Sequence, residues 1–521
     1  MSSIWLNLFW REWREHQWKL LALCSVVFAL VLATMPDRLQ DWGGAAVVLA
    51  WMLSAPFGLF IGAGVAAGEN SRGTMSYTQA QPVGLWRVGL TKLLVGGVVA
   101  TLPGVLAVLF FWGLDRWGGL ISEDLAEGLR WQMGMSKGVF SSAPALLIAV
   151  TIVTALSTYL WSAALGVNSR DEVRAAVWSV GALGAWTILL VAFAAVGDSW
   201  RLTNRFTTTS YLTLTSLGPL GPLAALTSRV EVNGIEVVTP GLRFSWLMIS
   251  LLVHVALAAI FVTRYGRPLV SGTGNSQPAV SPLLPVRDFL APPRRSRAVA
   301  LAWKELRECG PLVLAGIGGC LLFGLTVLVV ALVNGEGDFS ARGRRELALF
   351  LVAPVVYVAP LVAVIVGLGA TLRDLSPSLN TFWRSRPIDA DQAFWVPAAT
   401  GVATLAVCFV LPALLVVWWV QVSPWTLHNE VTIGWVGTGA AALLLFFSTG
   451  ACFAAATRNA IYAAILSLGV SLTAVVWLGE LFDDRRWITE LWQMNLALLA
   501  LGTAALLAAW AIYRADWPVR G

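Results

Sequence analysis

Residues 43–67 read GGAAVVLAWMLSAPFGLFIGAGVAA, a stretch without one charged side chain. A bilayer core about 30 Å thick needs roughly 20 apolar residues of helix, so this segment is long enough to span one. Inside hydrocarbon every backbone N–H and C=O must be paired within the protein, which admits helices or a closed barrel. The apolar residues run unbroken rather than alternating with polar ones, so the segment reads as helix. The same kind of run recurs at 18–35, 93–114, 139–167, 175–197, 244–263, 311–333, 347–370, 394–420, 436–456, 460–479 and 491–513. An all-α polytopic membrane protein with about twelve spans is expected. Composition agrees, since 57% of the 521 residues are hydrophobic and only 12% charged. Ordinary soluble domains carry about 25% charged residues.

The polar residues are few and concentrated between the runs. Lys and Arg favour the segments on the same side as the N-terminus, most of the excess falling in residues 264–302. The positive-inside rule therefore puts both termini in the cytoplasm and the chain in the plasma membrane, the inner membrane of the cell. The first fifteen residues are Trp-rich and include Arg11, Glu12, Arg14 and Glu15. With a long apolar run behind them, they do not read as a cleaved signal peptide. Cys24, Cys309, Cys320, Cys408 and Cys452 form no CxxC pair and read as inert thiols.

Three polar blocks recur in the same order in both halves, which predicts an internal duplication. Trp10-Arg11-Glu12-Trp13-Arg14-Glu15 precedes the first span, and Trp303-Lys304-Glu305-Leu306-Arg307-Glu308 the seventh. GENSRGTMSYTQAQPVGLWRVGLTKLLVG, residues 68–96, follows the second span, and RDLSPSLNTFWRSRPIDADQAFWVPAATG, residues 373–401, the eighth. In that alignment Glu69 meets Asp374, Tyr77 meets Phe382, Pro82 meets Pro387 and Gly96 meets Gly401, while Gly62 and Gly64 meet Gly367 and Gly369. In the third block Ser169-Arg170 meets Thr457-Arg458, Ala175-Ala176 meets Ala463-Ala464, and Gly181 meets Gly469. Six spans per copy is an even number, so the halves are parallel repeats. The boundaries are 1–263 for the first half, 264–302 for a Pro- and Arg-rich cytoplasmic linker, and 303–521 for the second half. Arg294, Arg295 and Arg297 of that linker are placed to meet anionic lipid headgroups or water.

The block after the second span resembles that of the membrane subunit of a type-2 ABC transporter, the exporter class of permease. The resemblance lies in Glu69, Arg72, Gly73, Thr74, Pro82, Arg87 and Lys92, and in the amphipathic helix expected over residues 4–18. The second-half block keeps Asp374 and Pro387 but has Pro377-Ser378 where the first has Arg72-Gly73. The resemblance implies two fused six-helix halves moving a substrate across the membrane. It also implies a separate ATPase subunit docking on these loops, one copy per half. Glu69, Arg72, Gly73, Thr74, Pro82, Asp374 and Pro387 are the expected coupling surface. In this reading Thr74 caps a short interfacial helix, Met75 and Tyr77 form its apolar side, and Glu69 and Arg72 face outward.

No catalytic, cofactor or metal site is expected on the chain itself, and no nucleic-acid partner. A phosphate-binding loop ends in Gly-Lys-Ser/Thr, and none of Lys19, Lys92, Lys137 and Lys304 follows a glycine. ATP would therefore be bound by the partner subunit. His16, His254 and His428 are too dispersed to share a metal. Two other classes compete: a secondary transporter without proton-relay carboxylates, and a polytopic protein that transports nothing. The runs contain no Asp or Glu, which disfavours proton coupling. His254 reads as a packing residue. Gly218-Pro219-Leu220-Gly221-Pro222, within the outer segment 198–243, reads equally as a loop that dips into the bilayer and as an ordinary ordered loop. The nearly charge-free spans suit an amphipathic or apolar cargo.

Overall fold

The structure is a computed structural model and describes residues 2–33, 39–71, 74–118, 143–167, 172–199, 213–219, 240–267, 298–307, 358–372, 389–421, 429–481 and 487–516, with shorter pieces between them. Helices α1 Ser2–Ala33, α2 Leu39–Ser71, α3 Met75–Ala80, α4 Leu85–Gly118, α5 Ala143–Gly166, α6 Glu172–Ser199 and α7 Pro240–Arg264 follow in order. A two-residue antiparallel ribbon, Glu231–Val232 with Ile235–Glu236, precedes α7. Residues 298–307 are helical, then comes α8 Val358–Leu372. Helix α9 Ala390–Leu405 continues through a π-helical turn, Ala406–Val410, into α10 Leu411–Gln421. Pro412 lacks the N–H that the carbonyl one turn earlier needs, and the widened turn lies directly before it. Helices α11 Asn429–Thr457, α12 Ala460–Leu481 and α13 Trp487–Asp516 close the chain.

Seven stretches among the described residues are long and apolar enough to cross a membrane: Leu85–Phe110, Ile148–Gly166, Phe244–Arg264, Ala390–Val416, Val436–Thr457, Ala460–Gly479 and Trp492–Ala515. The fold is helical and built as a multi-pass membrane protein. Of the other expected runs, 18–35 and 43–67 fall largely in α1 and α2, and 175–197 falls in α6. Run 347–370 overlaps α8, and most of 311–333 lies outside the described residues. The amphipathic helix expected over 4–18 forms the first half of α1, continuous with the apolar run that follows it. At 1.5 Å per residue its 32 residues reach about 48 Å, well beyond the hydrocarbon thickness.

Lipid gives helices no hydrophobic reason to associate, so close packing of small residues does it. Gly58 and Gly62 put α2 directly on α5: a Cβ built at Gly62 would lie 2.6 Å from the Tyr159 carbonyl oxygen, and one at Gly58 2.4 Å from that of Ala155. In the second half a Cβ at Gly367 of α8 would lie 2.2 Å from the Phe447 carbonyl of α11. Gly96 of α4 faces the Tyr159 ring, and Gly401 of α9 faces the Phe447 ring. The paired hydroxyls Ser162 and Ser179, 3.0 Å apart, join α5 to α6, as Thr449 and Ser467, 2.8 Å apart, join α11 to α12.

The halves meet by exchange. Ile461 and Ile465 of α12 belong to the core that α1, α2, α4, α5 and α7 build. Ala175 and Ala176 of α6, with Leu59, Phe60 and Ala63 of α2, belong to the core around α8 and α11. A two-residue turn aims α12. Arg458 takes the left-handed conformation at φ 52°, and the Asn459 Oδ1 accepts from the N–H groups of Ile461 and Tyr462 at 3.1 and 3.3 Å. Asn459→Ala is expected to cost about 1 kcal/mol of stability through the lost cap, read as a lower unfolding temperature in detergent.

The Gly-Pro segment does enter the bundle. Thr213–Leu217 forms a helical turn whose Thr213 Oγ1 accepts from the Trp246 indole at 3.0 Å. The Pro219 carbonyl then accepts from the Ser157 hydroxyl on α5. Ser157 lies nine residues before the end of α5, about 14 Å along the axis and at the midpoint of the apolar stretch Ile148–Gly166. Gly218 and Gly221 make the approach possible. A Cβ at Gly218 would overlap the Trp186 indole, and one at Gly221 the Ser216 carbonyl.

Candidate functional site

Glu12, Glu15, His16 and Lys19 follow the three- and four-residue spacing that puts side chains on one helical face. That face of α1 turns inward: Glu12, His16 and Lys19 are buried, while Trp10 and Trp18 are exposed. The last turn of α2 supplies Glu69 to the same place, and α4 supplies Lys92. The Lys92 ammonium donates to Glu12 Oε2 at 2.8 Å and pairs with Glu69 Oε1 at 3.1 Å and Glu15 Oε2 at 3.9 Å. Arg11 reaches Glu69 at 3.6 Å and donates to Gln81 Oε1 at 3.1 Å, and Lys19 lies 4.0 Å from Glu15. Three carboxylates and three cations thus meet in one cluster, in which Glu12, Lys19, Glu69 and Lys92 are buried and Arg11 and Glu15 partly exposed.

Electrostatics explains why they need one another. A carboxylate at a helix C-terminus opposes the helix dipole, and Glu69 stands there; Lys92 and Arg11 offset it. Burial holds Glu12 above the ordinary carboxylate range, and Lys92 draws it only partly back. Just past α7, burial and then the Glu69 carboxylate raise the Tyr265 phenol above its ordinary value.

The other two polar blocks tie into this cluster. Asn70 donates to the Ser169 carbonyl at 3.1 Å, and Ser71 donates to Glu172 Oε1 at 3.3 Å, so the end of α2 is fastened to the turn between α5 and α6. The Thr74 N–H donates back to the Glu69 carbonyl at 2.9 Å, a six-to-one closure of the helix end. Helix α3 then sits between two anchors. Gln79 donates to the Gly266 carbonyl at 2.6 Å, and Arg87 lies over the rings of Trp86 and Trp5, at 5.3 and 5.9 Å. Thr78 is buried, whereas Tyr77 is 67% exposed.

Two expectations are corrected here. Glu69 does not face outward; it is buried, because the cations that stabilise it come from α1 and α4 behind it. Thr74 holds the N-cap position of α3, yet its side chain caps nothing in that helix. Its hydroxyl turns back to the Glu69 carbonyl at 3.4 Å. Pro82 is exposed in the turn before α4. Arg72, Gly73, Asp374 and Pro387 lie outside the described residues. The sequence reading does not pair Glu12 and Lys19 with this cluster, although their spacing with Glu15 at the mouth of a span is visible in the sequence.

The second-half positions aligned with this arrangement match it only in part. Glu305, aligned with Glu12, is buried, and Arg307 lies over the Trp303 ring at 5.3 Å. The position aligned with Lys92 is Pro397, inside α9. Among the described residues no group of His, Cys, Asp and Glu is placed to hold a metal ion. Compared with protein-family profiles and with curated proteins, the chain matches none.

Proposed function

We propose that this chain is the membrane-spanning permease subunit of an ATP-driven ABC exporter. In this reading two fused six-helix halves, both termini cytoplasmic, are worked by a separate ATPase, one copy at residues 68–92 and one at 371–393. The observation that carries the reading is α3: a short helix with an exposed Tyr77, joined at its start to the backbone of Glu69, whose side chain pairs with Lys92, and tied at its end by Arg11 to Gln81 and by Gln79 to Gly266. A push on α3 would reach three helices at once, since the cluster leaves little slack between them. The repeated glycine and hydroxyl contacts of the two halves support the duplication. The glycine-packed, nearly charge-free spans fit an amphipathic or apolar cargo.

The test is a single cysteine at Tyr77, crosslinked in membranes to a Walker-motif ATPase encoded beside this chain. An adduct that changes when ATP is added is the expected result. Tyr77→Ala is expected to lower cargo-stimulated ATP hydrolysis by about tenfold, the loss of one interface anchor. An adduct formed at an outer-loop control position but not at Tyr77 would remove the docking proposal.

A further inference from the structure

A hydrogen-bonded chain links the entering loop to His254, and the permease reading makes no use of it. His254 is a buried residue of α7, ten residues before Arg264 and so about 15 Å from that end of the helix. Its Nδ1 faces the Ser250 carbonyl at 2.7 Å. Its Nε2 meets the Ser157 hydroxyl of α5, and that hydroxyl meets the Pro219 carbonyl of the loop. Two carbonyls are therefore joined through one imidazole and one hydroxyl, by three links. A carbonyl only accepts, so each link needs a proton of its own. A neutral imidazole and a serine bring two between them, which leaves one link with lone pairs facing each other. An imidazolium and a serine bring three. Nδ1–H then donates to Ser250, Nε2–H to Ser157, and the Ser157 hydroxyl to Pro219.

We propose that His254 is a proton-binding site within the membrane, and that proton uptake there locks the loop at residues 213–219 onto α5 and α7. The surroundings suit a single ionisable centre. Tyr159 of α5 donates to the Lys92 and Leu93 carbonyls, and Lys92 of α4 is held by Glu12 and Glu69. The loop brings no acid or base, and on α7 the next charge is Arg264. On α6 the charges nearest the described ends are Glu172, Arg174 and Asp198, far along the helix from Trp186, which faces the loop. Ser250 adds a fully buried hydroxyl with no hydrogen-bond partner among the described residues, beside Gly221. Polar groups are costly at this depth, and an ionisable one there commonly has a function.

The experiment uses the full chain in lipid nanodiscs with 15N-labelled histidine. The chain has three histidines, and comparison with His254→Gln identifies the signal. Acidification from about pH 8 to about pH 5, across the ordinary histidine range, should convert it to a form with both ring nitrogens protonated. Over the same range a cysteine at Leu217, with the five native cysteines replaced by alanine, should label about fivefold more slowly as the additional hydrogen bond forms. Ser157→Ala should abolish that slowing while the His16 signal stays unchanged, which separates loss of the lock from loss of the fold. A His254 signal that keeps one ring proton throughout overturns the site. Labelling that ignores pH, or a Ser157→Ala chain that keeps the full response, overturns the lock.

Discussion

Lys92→Met should lower stability by about 3–5 kcal/mol, the range for leaving buried charges without their partner. The lysine is central: Glu12, Glu15 and Glu69 all lie within 4 Å of its ammonium, and Glu12 and Glu69 are buried. Removing it leaves three carboxylates facing Arg11, which is partly exposed, and Lys19. Glu12→Gln should cost much less. Burial already raises the Glu12 carboxyl above its usual range, so the neutral amide resembles a form that the site tolerates. The double variant Lys92→Met/Glu12→Gln should regain part of the loss, since coupled neighbours do not add. The pH dependence has a definite sign. With the lysine gone, the Glu12 carboxyl, which burial already raises, takes up a proton more readily folded than unfolded, so the deficit should shrink as pH falls from about 7.5 to about 5.5. Unfolding temperatures in detergent, followed by tryptophan fluorescence, measure all three variants. A Lys92→Met chain as stable as the parent at pH 7.5 would show that the cluster contributes nothing.

The sequence made the spans legible because hydrocarbon imposes a local rule. A run such as 43–67 has to be helix wherever it sits, and α2 covers it. The entering loop was half legible. Its composition left a dipping loop and an ordinary ordered loop equally open, and only the three-dimensional partners Trp186, Ser157 and Ser250 decide between them. The charge cluster was not legible, for a different reason. Glu69 near the end of a span is locally indistinguishable from a solvated charge. What buries it is a lysine on another helix and an arginine 58 positions earlier, and no local rule pairs them. Thr74 is a similar case: its type and position suit a cap, but the Glu69 carbonyl, which already accepts the Thr74 N–H, also takes its hydroxyl. His254 was read as a packing residue because the periodicity of α7 says nothing about which carbonyl the loop carries to Ser157.

Gly62→Ala and Gly367→Ala should be comparably disruptive, and each should exceed the 1–3 kcal/mol typical of overpacking a core. The reason is what the added methyl meets. At Gly62 it is the Tyr159 carbonyl at 2.6 Å and at Gly367 the Phe447 carbonyl at 2.2 Å. Backbone atoms of a packed helix cannot swing aside, so α2 must leave α5, or α8 must leave α11, across the whole contact. Two further glycines calibrate the effect. A methyl at Gly64 meets the Ile461 Cδ1 at 1.9 Å, the far end of a side chain that can change rotamer, so Gly64→Ala should be mild. Gly181 has nothing within 4 Å among the described residues, and Gly181→Ala should be neutral or gain up to about 1 kcal/mol from helix propensity. Expression as a monodisperse peak and its unfolding temperature would rank the four. If the halves are copies that kept one packing scheme, Gly62 and Gly367 fail together while Gly64 and Gly181 survive. A Gly367→Ala chain that folds as well as the Gly181→Ala chain would mean that α8 and α11 do not use the contact that joins α2 to α5, and the duplication would lose its strongest physical support.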